Sequence, residues 1–431
     1  KMKKILIFFF VFFGISFSEE ILTLKDCIKI AIENNLKLKV AKDEIEKKYY
    51  QKEISRKYLY PDFSSSFQYT YLGNNKGISF GILPPFKIVE DNNYTLKFSI
   101  THPVFTGWKI EKTYQISKQL YEKAEIDYEN EVSNLILDVK EAYFNILKAK
   151  RFLETSLKYK ENLERHLIDA KKMFQQGLVT NLDILKTELA IKNADTKIIE
   201  SENYLKNAKA NLNFILNRPV DEEFEIEDIF EEKEEKREYE WWKETALKER
   251  KEIKSFEKLI SIYEKNIGIE KSNLYPQVYF FFNYNIEKGT QTSRENWGTN
   301  WNTGILISYD IWNWGQTKDK VKKAEIEKKQ IEKNFDLLKN SIELEVKNSY
   351  LNLISMEEKI KETKKQIEFA EENLRVSSLL YNEGLATTTD VIDAITSLTE
   401  AKNNYFNFLY EYKIGYSQLE KASGILKQEE K

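Results

Sequence analysis

The chain is one unit written twice, and that duplication limits the folds open to it more than any other feature. Tyr58-Leu59-Tyr60-Pro61 recurs as Asn273-Leu274-Tyr275-Pro276. Pro103-Val104-Phe105-Thr106-Gly107-Trp108 has a counterpart in Asp310-Ile311-Trp312-Asn313-Trp314-Gly315. Ala142-Tyr143-Phe144-Asn145-Ile146-Leu147 echoes Ser349-Tyr350-Leu351-Asn352-Leu353-Ile354. Phe174-Gln175-Gln176-Gly177-Leu178 with Asp183 returns as Tyr381-Asn382-Glu383-Gly384-Leu385 with Asp390. Four landmarks keep the same order. Gly107 to Gly177 nearly matches Gly315 to Gly384 in spacing, with one residue of discrepancy.

Each unit reads as helix, two strands, long helix, turn, helix. The first helix is expected over Leu24 to Arg56 and its counterpart over Glu240 to Lys271, with Pro61 and Pro276 ending them. In the strands that follow, Phe63, Phe67, Tyr69 and Tyr71 alternate with Ser64, Ser66, Gln68 and Thr70. Tyr94, Leu96, Phe98 and Ile100 alternate with Thr95, Lys97, Ser99 and Thr101. The second unit repeats this with Val278, Phe280, Phe282 and Tyr284, then Thr303, Ile305, Ile307 and Tyr309. A period of two with one dry and one wet face, over ~10 residues, is the length of a tilted membrane-spanning strand. Trp108, Trp301, Trp312 and Trp314 fall at strand ends, where an interfacial aromatic girdle would sit. The joining loops, Gly73 to Asn93 and Glu287 to Asn300, are polar and are expected outside the cell.

After Gly107 the pattern predicts a helix of about 65 residues, roughly 100 Å at ~1.5 Å per residue. Val132, Leu135, Val139, Ala142, Ile146, Ala149 and Leu153 keep the 3-4 spacing of a coiled-coil seam. A lone helix of this length cannot bury its stripe against itself, so it needs neighbours. The second long helix carries Ile342, Val346, Leu353 and Ile360. Gly177 and Gly384 suit the left-handed residue that closes a helix. Thr180 or Asn181, and Thr387 to Thr389, are the candidate caps of the helices that follow.

Only six prolines and fourteen glycines occur in 431 residues, so helices can run long. Charged residues make up 32% of the chain with a net charge of −3, so the charges interleave. That pattern fits solvated helix faces and argues against a nucleic-acid partner, which calls for a basic stripe. Lys1, Lys3 and Lys4, the apolar run Ile5 to Ile15 and Ser16-Phe17-Ser18 read as a signal peptide over residues 1–18. The first repeat is then 19–217, an acidic linker 218–240, the second repeat 241–424 and a polar tail 425–431. Cys27 is the only cysteine, which excludes an intramolecular disulfide, and it reads as a buried helix residue.

Four amphipathic strands cannot close a membrane barrel, because the smallest need about eight. Open edges in lipid leave backbone groups unsatisfied, so identical copies must pool their strands. Three copies would give twelve strands over twelve helices, although the sequence physics does not choose among dimer, trimer and tetramer.

These features together resemble the TolC family of outer-membrane efflux proteins. The specific elements are Gln176-Gly177-Leu178-Val179-Thr180 with Asp183, and Glu383-Gly384-Leu385-Ala386-Thr387 with Asp390-Val391-Ile392-Asp393. The resemblance implies a mainly α fold with a small β part. Long antiparallel coiled-coil helices would form a periplasmic α-barrel, continued by a shared 12-stranded transmembrane β-barrel in a homotrimer. It implies an exit duct of a tripartite efflux or type I secretion system, in outer-membrane lipid, gated at its periplasmic tip. Its partners would be a periplasmic adaptor, or membrane fusion, protein and an inner-membrane transporter. The turns Gly177, Leu178, Thr180, Gly384, Leu385 and Thr387 match the adaptor-contact positions. Gln176 and Glu383 stand where family members often carry valine.

Asp390 and Asp393 match the aspartates that ring the closed mouth. Residues three apart share a helix face, and clustered carboxylates favour cations and raise one another's pKa values. The alternative reading makes Asp390 a helix-start residue complementing the dipole and Asp393 a merely exposed carboxylate. The first unit carries Asp183 and Lys186 at the equivalent positions, so it supplies no second double ring. Asp183 and Tyr381 match two positions of the inter-helix links that hold the closed state. Ala386 replaces an arginine used there by some members, so a weaker or different lock is expected.

The sequence carries no metal-ligand spacing, phosphate loop or nucleophile motif, so neither catalysis nor a metal or cofactor is expected. His102 and His166, the only histidines, read as structural. The closest rival readings are a periplasmic adaptor, which would have one hairpin and more glycine, and a coiled-coil scaffold, which would lack the alternating strands.

Overall fold

The computed structural model describes residues 21–74, 76–77, 81, 87–228 and 237–426. The signal segment therefore lies outside the described residues, as do parts of the linker and the tail. The described elements run β1 (Ile21–Leu22), α1 (Leu24–Asn34), α2 (Leu36–Lys57), β2 (Asp62–Tyr71), β3 (Asn92–Phe105), α3 (Lys109–Gln175) and α4 (Asn181–Leu216). They continue with β4 (Glu225–Ile226), α5 (Tyr239–Glu249), α6 (Lys251–Ser272), β5 (Gln277–Lys288), β6 (Gly298–Ser308), α7 (Gln316–Asn382) and α8 (Thr388–Ala422). The long helices α3 and α7 each have 67 residues, and the short pairs match as well, at 11 and 22 residues.

Each helix expected to precede the strands is in fact two. The first breaks at Asn35 (φ −59°, ψ 127°) and the second at Arg250 (φ −59°, ψ 129°). An extended ψ interrupts the helical ladder without proline or glycine. At the first break the Asn35 amide donates to Ile215 O (2.9 Å), a bond to a residue far away in sequence.

After the strands the paired hexapeptides keep their register, and the glycine-to-glycine spacing differs by one residue for a local reason. The helix starts at Lys109 and Gln316 place Gly107 opposite Trp314 and Trp108 opposite Gly315. Both pairs are left-handed, with φ of 61° and 64° in the first turn and 54° and 82° in the second. The two units thus use the same double turn with the order of glycine and tryptophan exchanged, which removes the one-residue discrepancy. The tryptophans accept a conformation that costs roughly 1–2 kcal/mol for an L-residue. Trp108 is packed edge-on against Phe105 and Tyr275, with ring centroids at 5.1 and 5.3 Å.

The chain divides into two compact units that interleave the repeats. One comprises Lys1–Leu36, Val132–Ala246 and Leu344–Lys431. Its core follows the seam on α3, where Leu135, Val139, Ala142, Ile146 and Ala149 are buried. The buried stripe is wider than the seam, because Tyr143 and Leu147 are also fully covered. The acidic segment after Arg218 explains Tyr143. Part of it is a two-residue parallel strand, β4, against β1, and Phe224 and Ile226 are buried. The Tyr143 hydroxyl donates to Glu227 O (2.6 Å) and so ties α3 to this belt. Cys27 is fully buried on α1.

The other unit comprises Lys37–Glu131 and Leu247–Glu343 and holds one antiparallel sheet in the order β2-β3-β5-β6. The two hairpins are therefore joined side by side through β3 and β5. The strands extend into the expected second loop, which shrinks to residues 289–297.

Candidate functional site

The sheet sorts its side chains by register. Paired residues in an antiparallel ladder lie on the same face. Phe63 pairs with Ile100, Ile100 with Phe282 and Phe282 with Thr303. The next rows on that face are Phe98, Tyr284 and Trp301, then Phe67, Leu96 and Ile286. The opposite face carries Ser66, Lys97 and Asn285 in one row, and Ser64, Ser99, Asn283 and Asn302 in another. The alternation seen in each strand thus becomes one mainly apolar face, interrupted at Ser65 and Thr303, and an opposite face that is polar in its middle rows and carries Tyr279, Phe281 and Leu306 toward the Gln277 end.

The apolar face is open. Phe63, Phe67, Tyr71, Trp301, Ile305 and Ile307 are 64–73% exposed, which is the reverse of a soluble sheet. The polar face is cross-linked instead. Ser99 Oγ donates to Asn283 Oδ1, Asn283 Nδ2 to Asn302 Oδ1, and Asn285 Nδ2 to Asn300 Oδ1, each at 2.8 Å. The outer edges of β2 and β6 have no strand partner among the described residues. From Val278 to Lys288 the strand spans roughly 33 Å at ~3.3 Å per residue, or about 25 Å in height once tilted, the thickness of an outer-membrane apolar band. Aromatic residues mark both limits. Tyr69, Tyr94 and Trp297 cluster at one end, and Trp108 with Tyr275 at the other. Trp312 and Trp314, 74% and 88% exposed, follow β6. Trp301 lies within β6, opposite Tyr284, rather than at its end.

The helical tip is built by two copies of one design. Gly177 and Gly384 adopt φ of 74° and 73°. Gly177 N–H donates to Phe174 O (2.9 Å) and Leu178 N–H to Met173 O (3.0 Å). Gly384 N–H donates to Tyr381 O (3.0 Å) and Leu385 N–H to Leu380 O (2.8 Å). These paired bonds satisfy the last carbonyls of each long helix. Leu178 and Leu385 are left outside, 63% and 76% exposed.

Thr180 and Thr387, among the expected candidates, are the caps. Asp390 Oδ2 accepts from Thr387 N–H and Thr387 Oγ1–H, both at 2.7 Å, while Asp390 N–H donates back to Thr387 Oγ1 (3.2 Å). Asp183 Oδ2 likewise accepts from Thr180 N–H (3.0 Å) and its hydroxyl (2.7 Å). The threonine hydroxyl and then its N–H hold each carboxyl below the usual aspartate range. Asp390 therefore has the helix-start role weighed from the sequence. Asp393, one turn on, is exposed on the same flank of α8.

Tyr381 is buried within this chain. It belongs to a core with Tyr159, Leu163, Met173, Val391 and Ile395, against which Ala386 packs. Its hydroxyl accepts from Thr388 Oγ1 (3.2 Å), and its ring meets His166 edge-on at 4.7 Å. His166 is 5% exposed, and its Nε2 has no hydrogen-bond partner in the protein among the described residues. Burial pushes the imidazole below its ordinary pKa, partly opposed by Asp169. The sequence placed His166 inside a helix but gave no sign of its contact with Tyr381. A direct link between the two hairpins runs from Lys186 Nζ to Thr389 Oγ1 (3.3 Å). Among the described residues no three His, Cys, Asp or Glu side chains converge as metal ligands, and no helix is long and apolar enough to cross a membrane.

The fold has close counterparts among solved structures. CusC superposes with a TM-score of 0.81 at 18% identity, covering 93% of this chain and 92% of that one. The outer membrane channel CmeC of Campylobacter jejuni gives 0.80 at 19% identity, covering 95% and 87%. In sequence, the chain is 22% identical to the outer membrane protein TolC of Escherichia coli over 367 residues, 79% of this chain and 71% of TolC. It is 19% identical to the alkaline protease secretion protein AprF of Pseudomonas aeruginosa over 309 residues, 69% of this chain and 63% of AprF. Residues 27–218 and 242–425 match the outer membrane efflux protein family across both halves of the duplication, and the chain belongs to that family.

Proposed function

We propose that this chain is the protomer of a trimeric outer-membrane exit duct for efflux or type I secretion. Each copy lends the strands β2, β3, β5 and β6 to a shared 12-stranded barrel, and α3, α4, α7 and α8 continue the duct through the periplasm. The observation that carries this reading is the sheet. It combines a solvent-exposed apolar face, a cross-linked polar face and two open edges. An apolar face of this kind is stable against lipid, a polar face against a water-filled lumen, and open edges only when a neighbouring copy completes the ladder. The duct conducts passively and carries no catalytic group. An inner-membrane transporter loads it through a periplasmic adaptor, which docks at the turns of Gly177, Leu178 and Thr180, and of Gly384, Leu385 and Thr387. The exposure of both leucines beside rigid, capped turns supports that docking. Asp390 and Asp393 from each copy ring the periplasmic mouth and gate it. Asp183 acts through its cap, and Tyr381 through the core that fixes the second hairpin.

Cysteine labelling tests the facing, since Cys27 is buried and does not compete. Ser66 and Phe67 are neighbours on opposite faces of β2. In outer-membrane vesicles, a water-soluble maleimide should react with Ser66→Cys, and a lipid-dissolved one with Phe67→Cys. Equal reaction of both variants with the water-soluble reagent would remove the barrel assignment.

A further inference from the structure

We infer that Lys186 is a selectivity-determining residue of the tip, a cation that offsets the carboxylates of the mouth. The inference rests on the gate reading above and adds a residue to it. Three observations converge. Lys186 stands one turn beyond Asp183, as Asp393 stands one turn beyond Asp390, so the first hairpin presents an ammonium where the second presents a carboxylate. Its Nζ crosses from α4 to α8 and donates to Thr389 Oγ1 (3.3 Å). Thr389 and Asp393 are four apart on α8 and therefore neighbours on one helix flank. The ammonium is thus held on the flank that carries Asp393. It also helps to depress the Asp183 carboxyl, though less than the bonds from Thr180 do.

A ring of protomers then alternates Lys186 with Asp393 around the mouth. Each copy brings the carboxylates of Asp183, Asp390 and Asp393 against the one ammonium of Lys186, which lowers the net negative charge of these groups by about a third. At ~5 Å in water, an unscreened unit charge changes the local concentration of a monovalent ion several-fold. With a Debye length of about 10 Å at 0.1 M salt, roughly a twofold effect remains. The cation preference of the aspartates is moderated accordingly, and the mouth passes anionic cargo more readily than its aspartates alone would allow.

The test is the reversal potential of purified protein in planar bilayers under a KCl gradient around 0.1 M. Lys186→Gln should raise the K+/Cl− permeability ratio about twofold, and the increase should vanish at 1 M salt, where the Debye length is ~3 Å. Lys186→Arg keeps the charge and should keep the wild-type ratio. A separate Asp390→Asn/Asp393→Asn variant should lower the ratio. If the aspartate variant lowers it but Lys186→Gln leaves it unchanged, the inference about Lys186 is overturned while the ring stands. If Lys186→Arg shifts the ratio as far as Lys186→Gln, the role is structural and the inference fails. If the aspartate variant changes nothing, the gate reading itself fails, and the inference with it.

Discussion

A single-residue step along β5 gives a sharp test of the two-faced sheet. Phe282 lies in the middle row of the apolar face, between Ile100 and Thr303, and stacks on Trp301 at 6.3 Å. Asn283 follows it and faces the other way, bonded to Ser99 and Asn302 at 2.8 Å. Phe282→Lys puts a charge at mid-height of the lipid face, which costs about 2–4 kcal/mol. Loss of the aromatic contact adds roughly 0.5–1.5 kcal/mol, for a total of ~3–5 kcal/mol per protomer. Asn283→Lys removes two hydrogen bonds of about 0.5–1.5 kcal/mol each, largely offset because a lumen-facing lysine stays hydrated. The expected cost is ~1 kcal/mol, so the variants should differ by roughly 2–4 kcal/mol per chain, a factor of about 30 or more. Urea titration of protein refolded into phospholipid vesicles reads the difference, with band shifts on unheated gels as a second measure of assembly. Equal loss for the two variants, or a greater loss for Asn283→Lys, would refute the assignment of faces.

Turns and the helical core give further tests. Gly384→Ala places a methyl group with nothing within 4 Å, so its cost is backbone strain alone, about 1 kcal/mol at a φ of 73°. Hydrogen exchange of the tip amides should quicken about fivefold, and unchanged exchange would contradict the left-handed turn. Gly107→Ala should be worse, because its methyl would lie 2.6 Å from Ser272 O. His166 titrates below its ordinary pKa because it is buried, so its neutral form belongs to the packed tip. That contribution is complete above a pH of ~6.5 and is lost as the pH falls below it. Channel open probability should therefore rise on acidification in this window. Asp169, Arg165 and Tyr381 are the ionisable groups around the ring, and His166→Phe should flatten this part of the pH profile. An unchanged profile would remove the role. Tyr143→Phe deletes the bond to Glu227 O and should cost about 1 kcal/mol, seen as faster proteolysis around β4; an unaltered digest would show that the belt is held by other contacts.

The architecture was legible in the sequence where function and local chemistry coincide. Glycine at a left-handed turn, threonine before an aspartate three residues on, and strict alternation in strands each carry their own physical signal. That is why Gly177, Gly384, Thr180, Thr387 and the two faces of the sheet could be read directly. The breaks at Asn35 and Arg250 had no such signal, because neither residue forbids a helix. At Asn35 a bond to a distant carbonyl is part of what holds the break, and such a bond is invisible in a local window. The pairing of β1 with β4 joins two-residue segments that lie far apart, too short for any period to show. At the double turn the paired hexapeptides carry the right register, Gly107 opposite Trp314, and only a count from glycine to glycine is one residue off, because the backbone needs two left-handed residues and accepts tryptophan at either position. At the tip, residue spacing gave Asp390 and Asp393 a common flank, but it did not reveal that Asp390 is committed to Thr387. Nor could it show that Tyr381 and His166 share a buried contact across two helices.

The central claim is that one chain supplies too little wall for a pore and that identical chains complete it. The most direct measurement is the mass of the detergent-solubilised protein, taken on the same preparation that is applied to planar bilayers. A three-chain particle that forms long-lived conducting pores is the predicted result. A particle of one chain that leaves the bilayer silent would contradict it.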